Sequence, residues 1–190
     1  MVLEIKNYGE PVLHKKGARV ETFGEPLRKF ADDMLETMED ANGIGLAAQQ
    51  VGEALQFCVV DVPRELEDED GNRCFYDGKP TPQDLLMPMA LANPMVTPVP
   101  HPTGFREEGC LSFPEIRGDV ERPYGISVEF QDIEGNPHTL ECEGLLARCI
   151  QHEVDHLNGT LFIDRMKKRD LQNIQPEVRA LKQLTKEALS

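Results

Sequence analysis

The residues most suited to catalysis or metal binding lie at positions 151–156, which contain the pattern H-E-x-x-H. Two histidines four positions apart on a helix share one face, so His152 and His156 can reach a single metal ion. Glu153 lies between them and can contact a metal-bound water without being a ligand. The pattern predicts a metal-dependent hydrolytic site, and a surface pair of histidines is the alternative.

Two histidines leave such a site short of ligands, because catalytic zinc-type sites use three protein ligands and keep one open position. Downstream of the pair the sequence offers Asp164, Asp170 and Glu177 but no further histidine. Upstream, Cys110 lies in the turn-rich segment E-G-C-L-S. A thiolate there would complete a Cys/His/His set, and a bound metal would keep it deprotonated.

The elements that must position these residues can be predicted from periodicity. Apolar residues at the spacing of one buried helical face predict a helix over residues 25–40, and residues 56–62 are typical of a strand. Alternating residues 125–131, a turn and residues 138–142 predict a hairpin, and a helix follows over 144–157. This order of elements predicts an α+β fold rather than an alternating βαβ protein.

Three further segments are less regular. Residues 63–90 are rich in acidic residues, glycine and proline, which predicts a surface insertion, either a solvated loop or a cover for the site. Prolines interrupt residues 91–99, which predicts an edge strand at best. The tail 165–190 carries seven basic and three acidic residues, and we expect it to be helical beyond Pro176.

Composition excludes several classes of protein. The formal net charge of −14 and a pI near 4.7 argue against general or sequence-specific nucleic-acid binding, although they leave room for a local basic patch. No apolar stretch reaches the roughly 20 residues that a membrane helix needs. Five cysteines without a C-x-x-C pair predict reduced thiols rather than a disulfide framework. With no signal segment at the start, we expect a cytoplasmic protein.

Three segments together resemble the signature motifs of the peptide deformylase family, in that family's order. They are residues 43–50 (G-I-G-L-A-A-Q-Q), 108–112 (E-G-C-L-S) and 151–156 (Q-H-E-V-D-H). The resemblance implies one domain over residues 1–190, with antiparallel and mixed β-sheets packed around a central metal-binding helix and with N- and C-terminal helices. It implies an enzyme that removes the formyl group from the N-terminal formyl-methionine of nascent polypeptides.

The resemblance also implies the ligands and the metal. The family holds Fe²⁺, which Zn²⁺, Ni²⁺ or Co²⁺ can replace, through residues that match Cys110, His152 and His156. A metal-bound hydroxide would attack the formyl carbon, and formate would leave. Glu153 would act first as general base and then as general acid. The amide of Gln50 and the backbone N–H of Leu111 would stabilise the developing oxyanion.

Substrate contacts follow from the same comparison. Gly43 and Gly45 would let the loop backbone lie against an extended peptide, although a helix cap and a tight turn are the plainer reading of these glycines. Leu145, Cys149 and Ile44 are candidate walls of an apolar slot for the methionine side chain, with plain core packing as the alternative.

Two features of charge complete the comparison. Glu108 and Arg122 resemble a pair that braces the cysteine loop in the family, and two separate surface charges are the alternative. Arg148 stands where the family often has an apolar residue, so we expect it either to reach the rim of the slot or to narrow it. The basic tail could steer the enzyme to ribosomal RNA, and a solvated face is the alternative.

Two other functions compete with the deformylase reading. A zinc endopeptidase could use the same H-E-x-x-H helix, but it lacks a convincing third ligand after His156. A non-catalytic metal-binding domain would need neither Glu153 nor Gln50.

Overall fold

The computed structural model describes residues 1–63, 66 and 73–190. The described residues contain four α-helices: α1 Glu25–Asp40, α2 Gly144–Leu157, α3 Phe162–Arg165 and α4 Lys168–Ala188. Their strands are β1 Gly45–Ala47, β2 Phe57–Val60, β3 Cys74–Tyr76, β4 Lys79–Pro80, β5 Met89–Pro98, β6 Thr103–Cys110, β7 Phe113–Pro123, β8 Gly125–Gln131 and β9 Pro137–Glu143. None of the helices in this part of the chain combines the length and apolarity needed to cross a membrane.

Seven strands form one sheet in the order β1-β2-β5-β8-β9-β3-β4, and every pair in it is antiparallel. Strand β1 forms one edge of this sheet. Strands β6 and β7 form a separate two-stranded hairpin.

Helices cover both faces of the sheet near β1 and β2. Side chains of a strand alternate between faces, so Cys58 and Val60 join the apolar core beneath α2, whereas Phe57 and Val59 join the core beneath α1. All four residues of β2 are buried, which explains why this strand lacks the polar alternation of a solvated one.

A third core joins the β6–β7 hairpin to the C-terminal helices. It contains Phe113, Val120, Phe162 and Val178, all buried. Helix α4 begins at Lys168, well before the predicted start beyond Pro176. The apolar face of α4 packs on this core. This burial offsets the cost of the backbone hydrogen bond that is missing at the exposed Pro176.

Two sequence predictions were wrong in this region of the sheet. Strand β5 is central, between β2 and β8, and not an edge strand. A register shift between Ala92 and Met95 accommodates Pro94, and Asn93 there has a positive φ of 53°. The 63–90 segment is also more than a surface loop, because β3 pairs with β9 and Cys74 is buried; residues 64, 65 and 67–72 of this segment lie outside the described residues.

The other elements agree with the sequence. Helices α1 and α2 and the β8–β9 hairpin lie where periodicity predicted them, and the α+β fold class is confirmed. The β6–β7 hairpin was not predicted. Its strands carry many charged residues, and some of these form the ion pairs described below.

Candidate metal centre

Three potential metal ligands converge at the middle of the molecule. One ligand atom each from Cys110, His152 and His156 lies within 4.8 Å of the others, and both histidines are buried. The sulfur of Cys110 lies 3.2 Å from Nε2 of His156. A thiolate and two imidazoles are donors that suit Zn²⁺, Fe²⁺ and similar cations, so these residues fit a divalent metal.

The two sides of this cluster come from different elements. Helix α2 carries both histidines on one face, as their four-residue spacing requires. Cys110 ends β6, where the hairpin register shifts between Gly109 and Cys110. Such a bulge re-aims a side chain, and here it accompanies the turn of the cysteine toward α2.

Glu108 connects the two sides. Its carboxylate accepts hydrogen bonds from Nδ1 of His152 at 3.0 Å and from Nε of Arg122 at 2.6 Å. Burial would raise the pKa of Glu108, but hydrogen bonds from His152 and Arg122 outweigh it and hold the pKa well below its usual range. The ionised carboxylate fixes Nδ1–H of His152 and leaves Nε2 for a metal.

Glu153 lies between the two histidines on helix α2. It is buried, and its Oε2 has no hydrogen-bond partner among the described residues. Burial raises the pKa of Glu153 to about 7, although His152 and Arg122 oppose this rise. A carboxyl group with a pKa near neutrality can both accept and release a proton.

Gly45 makes room for this carboxylate. A Cβ atom at Gly45 would lie 2.4 Å from Oε1 of Glu153 and 2.8 Å from Sγ of Cys149. Strand β1 therefore passes so close to α2 that a larger residue at this position would displace the side chain of Glu153 or Cys149. Gly43 makes a similar approach to Leu111, whose Cδ1 would lie 2.8 Å from an added Cβ.

Gln50 also reaches the cluster. Its Nε2 donates to Sγ of Cys110 at 3.4 Å and to Oγ of Ser112 at 3.3 Å, while its Oε1 accepts from the backbone N–H of Ala47 at 2.8 Å. The fixed Oε1 sets the orientation of the amide, so its N–H groups point at the metal cluster. Leu111 follows Cys110 in the turn between β6 and β7.

The candidate slot residues come from two parts of the chain. Ile44 lies directly before β1, and Leu145 and Cys149 lie on α2. Sγ of Cys149 is buried and lies 3.4 Å from the carbonyl oxygen of Ile44. Ile44 and Leu145 are partly buried and pack against the core beneath α2. The structure therefore brings Ile44 and Cys149 together next to Gly45.

Arg148 does not line a slot, contrary to both expectations. Its guanidinium donates to Oε1 of Glu108 at 2.7 Å and to the backbone carbonyls of Val120 and Gly104 at 2.9 and 2.7 Å. A cation at this helical position turns toward the β6–β7 hairpin because three acceptors lie there. Arg148 thereby ties helix α2 to the hairpin that carries Cys110.

Sequence reasoning missed the role of Asp155. Its carboxylate accepts from Arg122 at 2.8 Å and from Arg165 at 2.7 Å, which extends the buried network to α3. Asp155 lies within the H-E-x-x-H motif, but its spacing alone does not reveal partners that come from distant elements.

A Cys/His/His set with both histidines buried, beside a buried carboxylate whose Oε2 has no hydrogen-bond partner among the described residues, is the arrangement expected of a metal-dependent hydrolase. Residues 2–172 match the family model described as polypeptide deformylase. The chain is 52% identical over 189 residues to the peptide deformylase of Opitutus terrae, covering 99% of this chain and 97% of that protein.

Solved structures agree with this match. The chain resembles the crystal structure of peptide deformylase from Plasmodium falciparum with a TM-score of 0.83 and 32% identity, over 98% of this chain and 99% of that one. For peptide deformylase from Thermotoga maritima the TM-score is 0.73 and the identity 40%, over 88% and 99%. The chain belongs to the peptide deformylase family. It is a metal-dependent hydrolase of N-formylmethionyl peptides, and the endopeptidase and non-catalytic alternatives lose their support.

Proposed function

We propose that Cys110, His152 and His156 hold the catalytic metal of this deformylase, with Fe²⁺ as the native ion and Zn²⁺, Ni²⁺ or Co²⁺ able to replace it. The observation that carries the proposal is the convergence of one sulfur and two imidazoles within 4.8 Å. Burial lowers the pKa of His156, which favours the neutral imidazole that a metal requires. When bound, such an ion lowers the pKa of water and polarises a carbonyl oxygen.

Glu153 carries the proton in this proposal. Its carboxylate takes a proton from the attacking water and returns it to the amine nitrogen of the departing peptide. The support is its burial, its unpartnered Oε2 and a pKa raised to about 7 by that burial. Each formyl group removed gives one formate and one free amino terminus, so the proton returns within the same cycle.

Gln50 and Leu111 stabilise the oxygen that becomes negative. The amide of Gln50 is held by Ala47 and already lies within 3.4 Å of the sulfur of Cys110. A donor fixed before the reaction needs no reorganisation when charge develops. The backbone N–H of Leu111, next in sequence to the cysteine, is the second donor.

The peptide binds along β1. This strand is at the edge of the sheet in the described residues, so its free side can pair with an extended peptide. An added Cβ at Gly43 would meet Leu111, and one at Gly45 would meet Glu153. The two glycines therefore let the backbone on which the peptide lies come close to both residues. Ile44, Leu145 and Cys149 form walls for the methionine side chain.

The remaining proposals concern the whole chain. We propose that residues 1–190 form one domain, because helix α2 packs against the sheet and also bonds to the hairpin. All seven basic residues of the 165–190 tail are exposed, which supports contact with ribosomal RNA. The five cysteines form no disulfide, which supports a reducing, cytoplasmic location.

The test is formate release from formyl-Met peptides by anaerobically purified protein, with metal analysis of the same sample. We expect stoichiometric formate and about one divalent ion per chain, with iron dominant. Internal cleavage of unblocked peptides without formate would contradict the deformylase assignment. Zinc as the dominant ion in that anaerobic sample would contradict iron as the native ion.

A further inference from the structure

Two cysteines outside the metal centre lie directly opposite each other in the sheet. Cys74 on β3 pairs with Cys142 on β9, and the ladder continues through Phe75 opposite Glu141. The backbone N–H of Asp77 donates to the carbonyl of Thr139, three positions along the same register. Hydrogen-bonded and non-hydrogen-bonded pairs alternate along an antiparallel ladder, so Cys74 and Cys142 form a non-hydrogen-bonded pair.

A second hydrogen bond supports this assignment. The carbonyl oxygen of Cys74 accepts from the backbone N–H of Thr81, on the β4 side of the strand. The backbone of Cys74 is thus directed away from β9, as a non-hydrogen-bonded position requires. In such pairs the Cα atoms are about 4.5 Å apart. Disulfides span Cα separations of roughly 4.4–6.8 Å, so the spacing typical of such pairs falls at the lower end of the range for a disulfide.

The two side chains also point to the same face. Both belong to the apolar core beneath α2, with exposed fractions of 8% for Cys74 and 3% for Cys142. Neither forms a disulfide in the structure. Among the described residues, only the two-residue strand β4 lies outside β3 in the sheet order, so local opening of this edge is enough to bring a small reagent to Cys74.

We propose that Cys74 and Cys142 are a dithiol site that is oxidised reversibly by low-molecular-weight disulfides such as glutathione disulfide. One thiolate attacks the reagent, and a mixed disulfide forms as the first reagent thiol leaves. The second protein thiolate then attacks the protein sulfur of that mixed disulfide, and the second reagent thiol leaves. The two cysteine thiols lose two hydrogens and two electrons, which the reagent disulfide gains as two thiols.

The disulfide would crosslink two neighbouring strands toward one end of the sheet. It would link β3 to β9, the strand that leads directly into helix α2, and it would close a long loop of chain. A crosslink that closes a long loop restricts the unfolded chain and stabilises the folded one. Since Cys110 belongs to the hairpin and not to this ladder, the oxidation is separate from chemistry at the metal centre.

The experiment uses the full chain loaded with Zn²⁺, so that Cys110 is protected by the metal. The protein is treated with excess glutathione disulfide, alkylated and digested without reduction for mass spectrometry. We expect one crosslinked peptide that contains Cys74 and Cys142, and a melting temperature raised by roughly 5–10 °C. Dithiothreitol should reverse both changes.

Matched variants sharpen the result. Cys74→Ala and Cys142→Ala should each abolish the crosslink and the thermal shift, whereas Cys58→Ala should keep both. The wild-type peptide map decides the question even where a variant folds poorly. A stable glutathione adduct on either cysteine, a crosslink between other cysteines, or two thiols that stay unreacted would each overturn the proposal.

Discussion

At the residue scale, the account depends on how closely Gly45 and Glu153 approach each other. Gly45 needs no unusual backbone conformation; it needs an absent side chain, because Oε1 of Glu153 lies 2.4 Å from the position of a Cβ atom. An alanine at position 45 would therefore force the carboxylate of Glu153 or the sulfur of Cys149 to move. The space that the glycine leaves is occupied by the carboxylate of Glu153.

Gly45→Ala should therefore displace Glu153. We expect kcat for formyl-Met peptides to fall by up to roughly 10²-fold, since small misplacements of reacting groups are costly. Overpacking should also lower the free energy of unfolding by about 1–3 kcal/mol. Formate-release kinetics and urea unfolding measure the two effects.

Gly104→Ala is the matched control, because nothing lies within 4 Å of an added Cβ there. This variant should behave as the wild type. If Gly45→Ala also retained full kcat and stability, the close contact with Glu153 would be wrong.

At the scale of elements, the metal centre depends on the junction between helix α2 and the β6–β7 hairpin. Arg148 makes three hydrogen bonds across this junction, one of them to Glu108. Glu108 in turn orients His152. The relative position of Cys110 and the two histidines therefore depends on a network of charges rather than on apolar packing alone.

Arg148→Met keeps most of the side-chain volume but removes these donors. We expect the free energy of unfolding to fall by about 1–3 kcal/mol, because two carbonyls and a carboxylate lose a partner. Metal affinity should weaken by roughly 10–100-fold, as loss of an orienting residue usually does. Chelator competition with Co²⁺-loaded protein measures the affinity independently of activity.

Arg117→Met tests the same substitution on the same hairpin, at an exposed residue whose Nη1 lies 3.9 Å from Oε2 of Glu107. It should change neither quantity measurably. Equal metal affinity in Arg148→Met and the wild type would contradict the role of the junction.

A second junction joins strand β9, through a histidine, to the β3–β4 turn and the β8–β9 turn. His138 on β9 bonds to Asp77 at 2.8 Å and to Asp132 at 3.3 Å. Burial would lower the pKa of His138, but the hydrogen bonds to these carboxylates outweigh it and raise the pKa above its ordinary value of 6.5. A raised pKa means that the folded protein binds the proton more tightly than the unfolded chain.

The stabilisation from His138 is therefore complete below the unfolded pKa and is lost as the pH rises through the folded pKa. His138→Gln should lower the free energy of unfolding at about pH 6 and have a smaller effect at about pH 9. Urea unfolding of both proteins at several pH values measures this difference. His14→Gln, at an exposed histidine outside the cluster, is the control; a His138→Gln effect that grew with pH would reverse the sign and refute the argument.

The sequence predicted elements well where local pattern and tertiary packing agree. Helices α1 and α2 and the β8–β9 hairpin have clear periodicity and clear end signals. The prediction for β5 was wrong. Pro94 suggested an edge strand, but a bulge accommodates this proline in a central strand of the sheet. A bulge depends on the register of both neighbouring strands, so the sequence of one strand alone does not predict it.

The candidate site shows the same division. The two histidines could be selected by residue type and spacing, and Cys110 by its turn-rich segment and the family resemblance. The structure brings all three together. The direction of Arg148 could not be predicted, because its acceptors include two backbone carbonyls from a hairpin that the sequence pattern did not reveal. Backbone acceptors have no residue-type signature.

At the scale of the whole molecule, charge is distributed unevenly. The chain carries a net charge of −14, whereas residues 165–190 hold seven basic and three acidic residues. Helix α4 also contributes buried Val178 to a core, so deleting the tail would damage the fold as well as the charge. Charge reversal is the cleaner test of ribosome contact.

The triple variant Arg179→Glu, Lys182→Glu and Lys186→Glu changes three exposed residues of α4. Co-sedimentation with ribosomes at low salt should weaken at least about tenfold, because each lost phosphate contact reduces counterion release. Activity on short formyl-Met peptides should remain, since α4 lies outside the proposed metal centre.

The matched control reverses three exposed basic residues near the N-terminal end of the chain, Lys15, Lys16 and Arg19. It produces the same change in net charge at a different place. Equal loss of ribosome binding in the two triple variants would show that total charge matters and that the tail has no specific role.

The most direct test of the central claim separates metal binding from proton transfer. Glu153→Ala, purified anaerobically, should keep the metal content of the wild type, because Cys110, His152 and His156 remain. Its kcat for formate release should fall by roughly 10²–10⁴-fold, since the general base is gone. Loss of the metal together with the activity, or near-normal activity with the metal in place, would contradict the proposed division of roles.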